Sequence, residues 1–77
     1  MLQFEVYSRR GCHLCDELLE QLEPLCRGRA NLVVHDVDTN EDWRRSFGEL
    51  VPVLYCDGEE VCRYTLDRHR VVGLLGL

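Results

Sequence analysis

The sequence predicts an α/β fold with a four-stranded mixed sheet and the element order β-α-β-α-β-β-α. Three observations carry this. Runs that alternate in polarity or are rich in β-branched residues recur at 2–7, 32–38, 53–56 and 59–64. The segments that follow the first two runs carry apolar residues at helical spacing. Asp57-Gly58, between the last two runs, is a two-residue hairpin signal that makes those strands antiparallel.

Leu2, Phe4 and Val6 alternate with Gln3, Glu5 and Tyr7, the period of a strand with one face more buried than the other. Ser8-Arg9-Arg10-Gly11 then turns the chain. Leu18, Leu19, Leu22, Leu25 and Cys26 form one helical stripe that packs onto the sheet, with Cys26 a small buried hydrophobe at its end. Pro24 has no N–H to donate, so this helix is expected to kink or end near Glu23, with Gly28 marking the exit. Asn31 to Asp38 reads as the second strand. Strand, helix and strand imply a parallel pair joined by a right-handed crossover. Thr39 or Asn40 caps the next helix, with Glu41 and Asp42 in its first turn, where the dipole favours acids. Trp43 and Phe47, four apart, are expected in the core.

Gly48-Glu49-Leu50 ends that helix, and Val51-Pro52 leads into Val53-Leu54-Tyr55-Cys56. A cis bond is open to Pro52, but spacing alone does not decide it. With the turn at Asp57-Gly58, Cys56 opposes Glu59 and Cys62 opposes Val53. The two cysteines then lie on opposite faces, which disfavours a disulfide between them. Asp67 to Leu77 carries Val71, Leu74 and Leu75 at helical spacing, weakened by Gly73 and Gly76, and reads as a short closing helix.

Seventy-seven residues are near the lower limit for a core without staples, so the expectation is one domain over residues 1–77. The composition, 45% hydrophobic and 30% charged, fits a soluble chain, and no apolar run approaches membrane-spanning length. The formal charge of −5 opposes attraction to phosphate backbones, which argues against a nucleic-acid partner. Five cysteines, an odd number without an export signal, read as thiols in a reducing compartment, so a cytoplasmic location is expected. A monomer is expected as well.

Cys12-His13-Leu14-Cys15 opens the first helix, and it is the stretch that carries chemistry. Unpaired N–H groups and the positive end of the helix dipole stabilise a thiolate at Cys12. Cys15 lies three residues on, one turn deeper and shielded. That asymmetry gives one attacking and one resolving sulfur. Arg9 and Arg10 add positive potential beside the thiolate and can hold a substrate carboxylate, although either alone reads as solvated loop charge. Two readings of His13 stay open, a solvent-facing residue of the first turn or an imidazolium that stabilises the Cys12 thiolate; Asp16 and Glu17 act the other way. His35 has no cysteine or histidine at metal-ligand spacing and reads as a structural or solvated histidine.

With the cysteine pair between the first strand and helix, the element order is that of the thioredoxin fold. The first and third strands would lie in the middle of the sheet. The first and last helices would cover one face and the middle helix the other. Tyr7-Ser8-Arg9-Arg10-Gly11-Cys12-His13-Leu14-Cys15 resembles the glutaredoxin active-site segment. Asp36-Val37-Asp38, Phe47-Gly48 and Val51-Pro52-Val53-Leu54 resemble that family's second strand, second helix and proline loop. The resemblance spans nearly the whole chain and marks it as a short, divergent relative. It implies that Pro52 is cis and faces Cys12, that the Val51 backbone pairs with an extended peptide or glutathione, and that Arg9 binds a glutathione carboxylate. Two departures stand out. His13-Leu14 replaces the usual Pro-Tyr, and Arg63-Tyr64-Thr65-Leu66-Asp67 stands where the family has a double glycine, with Thr65 or Asp67 as partial substitutes for its γ-glutamyl contacts.

The expected function is therefore thiol-disulfide oxidoreduction, a two-electron transport chemistry. Protein or glutathione disulfides would be the substrates, a cellular thiol or dithiol the reductant, and glutathione a co-substrate with no resident cofactor or metal. The rival from another class is a metal or iron-sulfur module using Cys12 and Cys15, with ligands recruited from Cys56, Cys62, His13 or a second chain. A third is an interaction module with a vestigial cysteine pair.

Overall fold

The sheet is built from β1 (Leu2–Ser8), β2 (Ala30–Asp36), β3 (Val53–Cys56) and β4 (Glu59–Arg63), and the helices are α1 (His13–Cys26), α2 (Glu41–Phe47) and α3 (Arg68–Leu75). A computed structural model describes all residues 1–77. The strand order is β2-β1-β3-β4, with β1 parallel to β2 and antiparallel to β3, and β3 antiparallel to β4. This is a thioredoxin-like fold, and β1 and β3 occupy the centre because both of their faces are covered.

One face carries the core. Phe4, Val6, Leu54 and Cys56 of the sheet pack with Leu18, Leu22 and Cys26 of α1 and Val71 of α3. The alternation of β1 sends Phe4 and Val6 to that side and Tyr7 to the other. There Tyr7 stacks on His35 and Phe47 at centroid distances of 5.0 and 4.3 Å and meets Trp43 and Tyr55 edge-on. Trp43 and Phe47 are half-buried rather than core residues, because α2 has only seven residues and buries none of them fully. His35 is structural, as its ring also meets the Glu5 carboxylate at 3.0 Å.

Several boundaries and one register differ from the sequence expectation. Helix α1 does not stop near Glu23; it continues through Pro24 to Cys26. Pro24 removes one bond to the carbonyl four residues back, but it faces solvent, while Leu22 and Cys26 on the buried side hold the last turn to the sheet. Strand β2 starts at Ala30 and ends at Asp36, not Asp38, because Asp36 accepts the Asp38 N–H through Oδ1 at 2.9 Å and starts a 3-10 turn, Val37–Thr39. Asn40, not Thr39, caps α2 by accepting the Trp43 N–H at 3.1 Å. The closing helix is confined to Arg68–Leu75, capped by Asp67 at one end and by Gly76 in left-handed conformation at the other.

The hairpin turns at Asp57-Gly58 as expected, with φ of 49° and 89°, the two positive values a tight hairpin turn demands. Its register slips two residues later. Cys62 pairs with Leu54, not Val53, and Tyr55 with Glu60, so Val61 is an extra residue, a β-bulge. Val61 and Cys62 thereby both reach the core, and Cys56 and Cys62 lie on the same face rather than opposite ones. The Arg70 guanidinium of α3 donates to the Val61 carbonyl at 3.0 Å and satisfies an acceptor at the bulge.

Strand β2 forms one edge of the sheet, pairing only with β1, and leaves Val33 and Val34 exposed, Val34 to 50%.

Candidate active site

The cysteine motif sits where β1 gives way to α1. Gly11, at φ 73°, lets the chain turn sharply enough for the Cys12 N–H to reach the Arg9 carbonyl at 3.3 Å. Cys12 then caps α1, and its Sγ accepts the Cys15 N–H at 3.1 Å. Sulfur therefore occupies the position where a capping oxygen would usually stand, facing the positive end of a 14-residue helix. Cys12 and Cys15 are joined as a disulfide, with Cα atoms 5.2 Å apart. Cys12 is half-buried, whereas Cys15 is fully enclosed by the core. One sulfur can be reached from outside and the other only through it.

Pro52, buried and joined to Val51 by a cis bond, precedes β3. Its carbonyl accepts the Tyr64 N–H at 2.8 Å, which binds the end of β4 to the proline loop. The Val51 N–H and carbonyl have no main-chain partner within the chain.

Arg9 is engaged inside the molecule. Its Nε and one terminal nitrogen donate to the two Asp38 carboxylate oxygens, both at 3.0 Å, and the other terminal nitrogen donates to the Gly48 carbonyl at 3.0 Å. Arg10 is almost fully exposed and meets Asp36 only at 3.9 Å. His13 points to solvent, 86% exposed, and pairs with Glu17 one turn on at 3.0 Å. Thr65 follows Tyr64 on the surface, and Asp67 accepts the Arg70 N–H at 3.1 Å as the cap of α3. The sequence therefore located the two sulfurs and the proline loop. It missed Asp38 and Gly48, the anchors of Arg9. It also passed over Leu14 and Tyr64, which line one cavity against α1; the signal available for Tyr64 was its place in the family's glycine pair.

Two cavities flank the first turns of α1. One, of about 320 Å³, lies against Ser8, Arg9, Arg10, Asp16 and Asp36; the other, of about 200 Å³, lies between α1 and the Tyr64–Leu66 segment. The other three thiols are apart from this site. Burial pushes the pKa of Cys26, Cys56 and Cys62 up, which keeps them protonated and poorly nucleophilic at neutral pH. No three His, Cys, Asp or Glu side chains of one chain converge in a way that could hold a metal ion. A metal or cluster on Cys12 and Cys15 would need further ligands from outside the chain.

A four-stranded βαβαββα sheet with a Cys-x-x-Cys turn capping its first helix and a cis-proline loop defines a thioredoxin-fold protein with a close cysteine pair. Within that class the chain belongs to the glutaredoxin-like domain family (DUF836), whose model matches residues 3–76. It is similar to an uncharacterized protein of Mycobacterium tuberculosis, 33% identical over 75 residues, covering 90% of this chain and 77% of that one. Among solved structures it is similar to protein Ne2328 of Nitrosomonas europaea, with a TM-score of 0.78 and 37% identity over 95% of this chain and 88% of that one. It is also similar to Fasciola hepatica thioredoxin, with a TM-score of 0.57 and 25% identity over 83% of this chain and 66% of that one.

Proposed function

We propose that the protein is a thiol-disulfide oxidoreductase in which Cys12 is the nucleophile and Cys15 the resolving thiol. The observation that carries this reading is the unequal setting of the two sulfurs, one half-buried at a helix N-terminus with a backbone N–H aimed at it, the other fully buried one turn deeper.

In the reduced protein, the Cys12 thiolate attacks one sulfur of a substrate disulfide. The substrate S–S bond breaks, and the departing thiolate takes a proton from solvent. The remaining half of the substrate is held by the proline loop, where the unpaired Val51 backbone groups can join it as a short strand. Cys15 gives up its proton and attacks the Cys12 sulfur, which releases the second substrate thiol and closes the Cys12–Cys15 disulfide. Two electrons have passed to the substrate, and an external thiol or dithiol restores the pair. Arg9 positions the loop through Asp38 and Gly48 rather than standing free for a ligand. The expected setting is a reducing, cytoplasmic one.

The test is titration of the pair against glutathione redox buffers with alkylation of free thiols. A reversible disulfide that disappears in Cys12→Ser supports the reading. Cys15→Ser should accumulate a mixed disulfide with substrate. Exchange that persists without Cys12 would refute the assignment.

A further inference from the structure

Tyr64 has φ of +69°, in the left-handed region that glycine or asparagine enters easily and a bulky aromatic does not. The strain is not repaid by burial, since Tyr64 is 43% exposed. Its N–H is fixed to the Pro52 carbonyl at 2.8 Å, so its backbone is tied to the proline loop. Leu14, between the two cysteines in sequence, is also 40% exposed. Leu14, Tyr64 and Leu66 line the 200 Å³ cavity, and Glu17 is the sole charged residue in it. A strained aromatic, an exposed leucine and one carboxylate thus line one cavity along α1, the helix that Cys12 caps. An apolar side chain gains by leaving water there, whereas a free carboxylate meets the Glu17 carboxylate, whose partner is the exposed His13, and no Lys or Arg lines the cavity.

We propose that Tyr64 is a specificity-determining residue which, with Leu14, receives an apolar side chain next to the disulfide of a polypeptide substrate and disfavours small anionic disulfides. This rests on the exchange reading above and names the substrate class of that same site.

The experiment follows oxidation of the reduced protein by three probes: a synthetic cystine peptide with leucine beside the cystine, the same peptide with glycine there, and oxidised glutathione. The wild type is expected to react about tenfold faster with the leucine peptide than with the glycine peptide, and slowest with oxidised glutathione. Tyr64→Asn, which tolerates the left-handed backbone, should bring the two peptides within about twofold of each other and melt no lower than wild type. Tyr64→Phe should keep the preference. Equal wild-type rates on the two peptides, a preference that survives Tyr64→Asn, or a Tyr64→Asn protein that melts well below wild type would each overturn the proposal and leave the exchange reading standing. Oxidised glutathione reacting as fast as the leucine peptide would overturn it too. A wild-type protein inert to all three probes would overturn the exchange reading with it.

Discussion

Arg9 joins the loop before Cys12 to the 3-10 turn and to the end of α2 through three hydrogen bonds from a single guanidinium. Because the contact is bidentate and part of it is shielded, Arg9→Ala is expected to lower the unfolding free energy by about 1 to 2 kcal/mol in urea titration. Arg9→Lys should recover less than half of that loss, since one ammonium cannot span Asp38 and Gly48 together. None of this was legible from Arg9-Arg10, where a charge before a cysteine pair reads as solvated loop charge or as a ligand contact; the partners lie 29 and 39 residues away. The close pairing of the two sulfurs was legible because it follows from spacing within one helical turn. Their inequality gives a second expectation. Under reducing, native conditions at neutral pH, iodoacetamide should label Cys12 well before Cys26, Cys56 and Cys62, as read by peptide mass spectrometry.

At the scale of elements, α1 runs three residues beyond the expected stop because its buried stripe outweighs one lost backbone bond. Pro24→Ala restores that bond on an exposed face. It is expected to stabilise the protein by about 1 to 2 kcal/mol, the helix gain being partly offset by a more flexible unfolded chain. Failure of the urea midpoint to rise would show that the last turn is held by packing alone. The order of the strands and helices was readable from periodicity and from Asp57-Gly58. The register of β4 was not. A hairpin turn fixes pairing only as far as the ladder stays regular, and Val61-Cys62, two apolar residues in succession, both seek the core and force the bulge. Arg70 then becomes the partner of the Val61 carbonyl, a contact between residues nine apart that no pattern announces.

For the molecule as a whole, the buried thiols set a limit on alkaline stability. Cys26, Cys56 and Cys62 hold their protons more tightly when folded, because burial opposes the thiolate. The unfolded chain releases those protons at a lower pH. The stabilisation is therefore complete below the unfolded thiol pKa and is lost as pH rises through the folded values. With Cys12 and Cys15 replaced by serine to remove the disulfide, the urea midpoint should fall as pH rises above the ordinary thiol range. Adding Cys26→Ala should flatten that slope.

The open side of β2 has a colloidal consequence. An edge that shows Val33 and Val34 beside unpaired backbone groups is a template for a neighbouring molecule, and at neutral pH the net charge of −5 keeps such neighbours apart. As carboxylates take up protons on acidification, that repulsion fades before the fold itself is lost. Light scattering should then rise in mildly acidic solution, reversibly, and replacing Val34 with lysine should suppress it.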